Sequence, residues 1–67
     1  MKLFVSIDAA KQHIEKYIPD GMDYEDFEIV RAGESFKVVA WTHTSDSEAL
    51  REKLGMHGFR VRTRPGT

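Results

Sequence analysis

Apolar and polar residues alternate over residues 2–7, with Leu3, Val5 and Ile7 on one side and Lys2, Phe4 and Ser6 on the other, the period of a half-buried strand. The period then lengthens. From Asp8 onward Ala10, Ile14, Tyr17 and Ile18 recur at helical spacing, Lys11, Gln12, Glu15 and Lys16 fall toward water, and Ser6 or Asp8 is available as N-cap. Pro19 disfavours helical backbone at Ile18 and Asp20-Gly21 has turn chemistry, so the helix is predicted to stop at Tyr17 or Ile18.

Two β-rich runs, 27–31 and 36–42, flank the short segment Ala32-Gly33-Glu34-Ser35. A type II′ turn wants glycine at its first central position, and Gly33-Glu34 supplies it. That turn sets a register of Ala32 opposite Ser35, Ile29 opposite Val38 and Phe27 opposite Ala40. One face of the hairpin then carries Phe27, Ile29, Phe36, Val38 and Ala40 and is taken as core. The other carries Asp26, Glu28, Val30, Lys37, Val39 and Trp41.

Ser45-Asp46-Ser47-Glu48 has the form of a capping box, which predicts a second helix running to about Met56 with Ala49, Leu50, Leu54 and His57 on its buried side. Gly55 is either a weak point inside that helix or its end, and Gly58 is a left-handed cap on which Phe59 packs back. Phe59, Val61 and Thr63 alternate with Arg60, Arg62 and Arg64 in a last strand that Pro65-Gly66 terminates.

The predicted order is therefore β-α-β-β-α-β across one domain of 67 residues, without repeats or linkers. This is the ferredoxin-like order, an α+β sandwich whose four-stranded antiparallel sheet has both helices on one face. The first and third strands would be central and the second and fourth at the edges. The alternative is an α+β fold that depends on dimerisation, its short last strand pairing with another chain.

Covering one face of such a sheet with helices fixes what the other face shows. With Leu3, Val5, Ile7, Phe27, Ile29, Val38 and Phe59 beneath the helices, parity leaves Phe4, Val30, Val39, Trp41, Arg60, Arg62 and Arg64 on the open side. An open face normally alternates toward polar residues, so aromatic and aliphatic side chains beside a row of arginines mark a candidate binding surface.

Composition sharpens this picture. A chain this short hides only about 60% of its unfolded surface, which leaves little margin over chain entropy. There is no cysteine to form a disulfide or thiolate metal site, and the three histidines (His13, His43, His57) are too scattered to suggest a zinc site. Self-association is the remaining source of stability. The apolar run 3–7 is too short for a secretory signal, and nothing approaches the roughly 18 apolar residues of a membrane span. A cytoplasmic location without membrane contact is expected. The net charge of −1 conceals a polarity, with −4 on residues 1–34 and +3 on residues 35–67.

Catalytic and metal chemistry find little support. Thr42-His43-Thr44-Ser45-Asp46 holds the residue types of a nucleophilic site, but Ser45 and Asp46 are better explained by helix capping. The acidic segment 20–26 lacks the ligand spacing of a calcium loop, and no phosphate loop or dinucleotide fingerprint is present, so no cofactor is expected. Nucleic acid is the alternative partner, with Phe4 and Trp41 stacking on bases and Arg60, Arg62 and Arg64 on phosphates. The analogy to RNA-recognition domains is architectural only, because the third strand lacks their leading base and glycine, and the net charge is not basic. The expected function is a non-enzymatic protein-interaction module that self-associates as a dimer or binds another protein through the open face, of the accessory or inhibitory kind that phages and mobile elements encode.

Overall fold

Helix α1 (Ile7–Tyr17) begins where the first strand was predicted to end, and that strand is absent from the computed structural model, which describes residues 1–65. Ser6 is the cap: its backbone is extended and its hydroxyl accepts a hydrogen bond from the Ala9 amide at 3.1 Å, satisfying a donor that a helix start leaves free. With Ser6 committed, only residues 2–5 could extend, and only Phe4 pairs. Its N–H donates to the Phe36 carbonyl at 2.7 Å, and its carbonyl accepts from the Phe36 amide at 2.8 Å. The predicted parity is inverted as well. Phe4 is 6% exposed and belongs to the core, whereas Leu3, Val5 and Ile7 face water. A stretch this short turns one large side chain inward, and a phenyl ring covers more apolar surface than any of the three aliphatic chains.

α1 ends as predicted. Ile18 is extended, its N–H still reaches the Ile14 carbonyl at 2.8 Å, and Pro19 follows. A single 3-10 turn (Tyr24–Asp26) leads into β1 (Phe27–Ala32), which pairs antiparallel with β2 (Ser35–Thr42). The register is the one the turn implies, Phe27 opposite Ala40, Ile29 opposite Val38 and Ala32 opposite Ser35. Gly33 has φ +65° and Glu34 has no positive φ, the combination of a II′ turn.

α2 (Glu48–Met56) starts two residues later than a Ser45 cap would place it. Ser47 is the cap, accepting from the Leu50 amide at 3.2 Å. Asp46 closes the preceding turn instead, with its carboxylate 2.7 Å from the His43 amide and its own amide 3.0 Å from the His43 carbonyl. At the other end the Phe59 amide bonds the Leu54 carbonyl at 3.1 Å and the Gly58 amide bonds the Gly55 carbonyl at 3.0 Å, a complete Schellman motif with Gly58 at φ +88°. Phe59 and Leu54 are both buried in the core. Gly55 lies inside the helix with no atom within 4 Å of where a Cβ would stand. Gly55→Ala is therefore expected to raise stability by about 0.5–1 kcal/mol, seen as a higher urea midpoint at unchanged slope. A lower midpoint would show that this turn requires glycine.

β3 (Arg60–Thr63) runs parallel to β2, Val39 opposite Arg60 through Thr42 opposite Thr63, with α2 as the crossover. The sheet order is β1-β2-β3. The four-stranded antiparallel ferredoxin-like sheet is thus replaced by a three-stranded mixed sheet in an α-β-β-α-β chain. The physical reason is the missing first strand, which leaves an edge of β2 open for β3 to occupy directly. The last strand thus pairs within its own chain, where the alternative had it pair with another copy. β3 covers one half of this edge and the Phe4–Phe36 bridge lies on the other, while the Lys2 amide donates to the Gly58 carbonyl at 2.9 Å. Pro65 follows β3, while Gly66 of the predicted stop lies outside the described residues. Both helices pack on one face of the sheet, where Ala10, Ile14 and Leu54 meet Phe27, Val38, Ala40 and Phe59. Among the described residues no helix is long and apolar enough to cross a membrane.

Candidate interaction face

Residues paired across a sheet point to the same side, so the ladder register assigns the face away from the helices row by row. One row reads Glu28, Val39, Arg60 from β1 through β2 to β3. In the next Trp41 stands beside Arg62, and on the other side of the first row Val30 stands beside Lys37. The face thus carries Glu28 and Val30 on β1, Lys37, Val39 and Trp41 on β2, and Arg60 and Arg62 on β3, one acid against three bases.

Val39 is only 3% exposed although no helix covers it. In its row it stands between Glu28 and Arg60. Trp41 is half-buried, and its indole N–H donates to the Glu28 carboxylate at 3.0 Å across the strands. That bond fixes the ring against the sheet. Arg60, Arg62 and Glu28 are exposed, and none has an ion-pair partner among the described residues.

Of the seven residues predicted for this face, Val30, Val39, Trp41, Arg60 and Arg62 share it. Phe4 does not; it is in the core, for the reason given above. Arg64 lies beyond β3, where its amide donates to the Thr42 carbonyl at 2.7 Å and its guanidinium reaches the Asp26 carboxylate at 3.3 Å. The other Asp26 oxygen accepts from the Asp23 amide at 2.9 Å, so this carboxylate ties the entrance of β1 to the end of β3. Glu28 belongs to the site but was absent from the predicted set. Its signal was available, since the hairpin register alone puts Glu28 diagonal to Trp41.

Elsewhere, several polar side chains tie elements of the fold together. His13 Nε2 lies 2.6 Å from the His57 carbonyl, and Tyr17 stacks on the His57 ring at a centroid distance of 4.4 Å, clasping α1 to the end of α2. In the 42–46 segment Thr42 is fully buried and donates to the Arg62 carbonyl at 3.0 Å, while Asp46 holds the His43 backbone. Among the described residues no three His, Asp or Glu side chains are grouped to hold a metal ion. Comparison of the chain with protein-family models, with curated proteins and with solved structures finds no match.

Proposed function

We propose that this chain is a non-enzymatic protein-interaction module, a small accessory or inhibitory protein of the cytoplasm, that binds through the open face of its sheet. The observation that carries this reading is the row Glu28, Val39, Arg60 beside the Trp41–Arg62 pair: an apolar centre between opposite charges that have no ion-pair partner within the described chain. Tryptophan and arginine are the side chains most enriched among residues that dominate protein–protein binding energies. A nucleic acid fits less well. With Phe4 in the core, Trp41 is the one aromatic ring on the face, and the carboxylate that accepts its N–H would repel a phosphate chain.

A photo-crosslinking residue at position 62, compared in cells with the same residue at position 15 on the water-facing side of α1, tests the proposal. Protein adducts at 62 that are absent at 15 are expected. Nucleic-acid adducts alone, or equal labelling at both positions, would overturn it.

A further inference from the structure

The arginines of the open face also line a free strand edge, since β3 has a neighbouring strand on one side only. The Arg64 amide donates to the Thr42 carbonyl at 2.7 Å, and the Arg62 carbonyl accepts from the Thr42 hydroxyl at 3.0 Å, so these two residues turn their backbone groups toward β2. Alternate residues of a strand turn theirs the other way. Val61 and Thr63 therefore present N–H and C=O groups outward, and among the described residues no third segment bonds them. The side chains alternate along the same edge. Arg60 and Arg62 stand exposed on the open-face side, without ion-pair partners among the described residues, while Val61 between them packs against the core on the helix side. The other edge strand, β1, offers no comparable charge: its open-face acid, Glu28, already accepts the Trp41 indole N–H.

We infer, on the basis of the protein-interaction reading, that the outer edge of β3 takes up an extended segment of another protein in which acidic residues alternate with apolar ones. Paired antiparallel, the segment bonds the free backbone groups of Val61 and Thr63, sets its acids across from Arg60 and Arg62, and lays the apolar residue between them beside Val61. Residues on one face of an extended chain recur about every 6.7 Å on both strands, so acids two positions apart meet both arginines at once. The main-chain bonds supply affinity and the arginines supply selection. Like charges directly opposite each other are destabilising, so the same arginines reject a basic segment. They also reject a second copy of β3, whose antiparallel pairing at this edge would set arginine against arginine. A nucleic acid fits less well, because its charge is uniform and it offers no ladder of alternating N–H and C=O groups.

The probe is a synthetic peptide of about nine residues that alternates glutamate with valine, titrated into the isotope-labelled chain and followed by amide resonances and hydrogen exchange. Saturable binding is expected, with exchange slowed at the Val61 and Thr63 amides and affinity lowered about tenfold by the double variant Arg60→Glu, Arg62→Glu. Both arginines are exposed, and an unchanged urea midpoint checks that the variant is folded. A peptide alternating lysine with valine is expected not to bind; it tests the charge selection without altering the protein. Equal binding of the two peptides would overturn the selection by Arg60 and Arg62. Binding that leaves exchange at Val61 and Thr63 unchanged would lay the peptide across the open face and overturn the edge. An oligothymidylate of equal length that binds more tightly and displaces the peptide would overturn the choice of partner. No binding at about 2 mM peptide would remove the acidic segment, and protein adducts at position 62 would then leave the interaction reading standing.

Discussion

Truncating Phe4 to alanine is expected to lower the unfolding free energy by about 3–5 kcal/mol, the range for a buried phenylalanine. A domain of this length has a total of only about 3–10 kcal/mol, so this one change removes much of its stability. Val5→Ala, next in the chain but 87% exposed, is expected to shift stability by no more than about 0.5 kcal/mol. Urea unfolding of the two variants separates two descriptions of the N-terminal segment. If the alternation of residues 2–7 marked a strand with Leu3, Val5 and Ile7 inward, the order of the effects would be reversed. Phe4 matters in both packing and pairing, since its ring sits among Phe36, His13 and the core while its backbone closes the bridge to Phe36. Alanine retains the second role and loses the first, so the expected loss is a cavity effect.

Gly58→Ala is expected to cost about 2–5 kcal/mol through two separable causes. An L-residue at φ +88° costs about 1–2 kcal/mol. The added Cβ would also stand 2.7 Å from the Lys2 Cβ, and relieving such a contact typically costs about 1–3 kcal/mol. Gly33→Ala isolates the first cause, because Gly33 has φ +65° and nothing within 4 Å of its Cβ position. Combining Gly58→Ala with Lys2→Gly isolates the second, since it removes the clash but not the backbone strain. Thermal or urea unfolding of the set should rank Gly58→Ala as the most destabilised of the glycine variants. Equal losses at positions 33 and 58 would show that the segment around Lys2 yields freely.

The parts of this fold legible from sequence are those fixed by local stereochemistry. Gly33 sets the hairpin turn, and the turn sets every cross-strand pair from Ala32–Ser35 to Phe27–Ala40. Pro19 stops α1, and Gly58 with Phe59 closes α2. The N-terminal segment was not legible in the same way, because an alternation of period two is equally compatible with either side facing in. The choice of Ser6 over Asp8 as cap decides how much chain remains to extend. The capping box pointed to Ser45 as the start of α2, whereas Ser47 is the cap and Asp46 binds the His43 amide. The edge on which β3 docks depends on which other strands exist, and no residue of β3 encodes that. The placement of Trp41, Val39, Arg60 and Arg62 on one face depends only on the parity of β2 and β3. Phe4 was misplaced because it depended on the strand that did not form.

The edge of β2 shared by the two ends of the chain also ranks the contacts by how much chain must be closed to make them. The Ala32–Ser35 pair is local, β2 and β3 close across one helix, Phe4 and Phe36 close across half of the chain, and Lys2 and Gly58 close across most of it. Each doubling of a closed loop adds about 0.6 kcal/mol of entropy loss. The hairpin is therefore the least costly nucleus, and the β2-α2-β3 unit extends it. The N-terminal segment, with one bridge and one buried ring, repays its closure only after β3 has formed the start of the seam against which Lys2 rests. In kinetic terms Phe4 is expected to lock late, so that stopped-flow folding of Phe4→Ala should show unfolding accelerated more than folding is slowed.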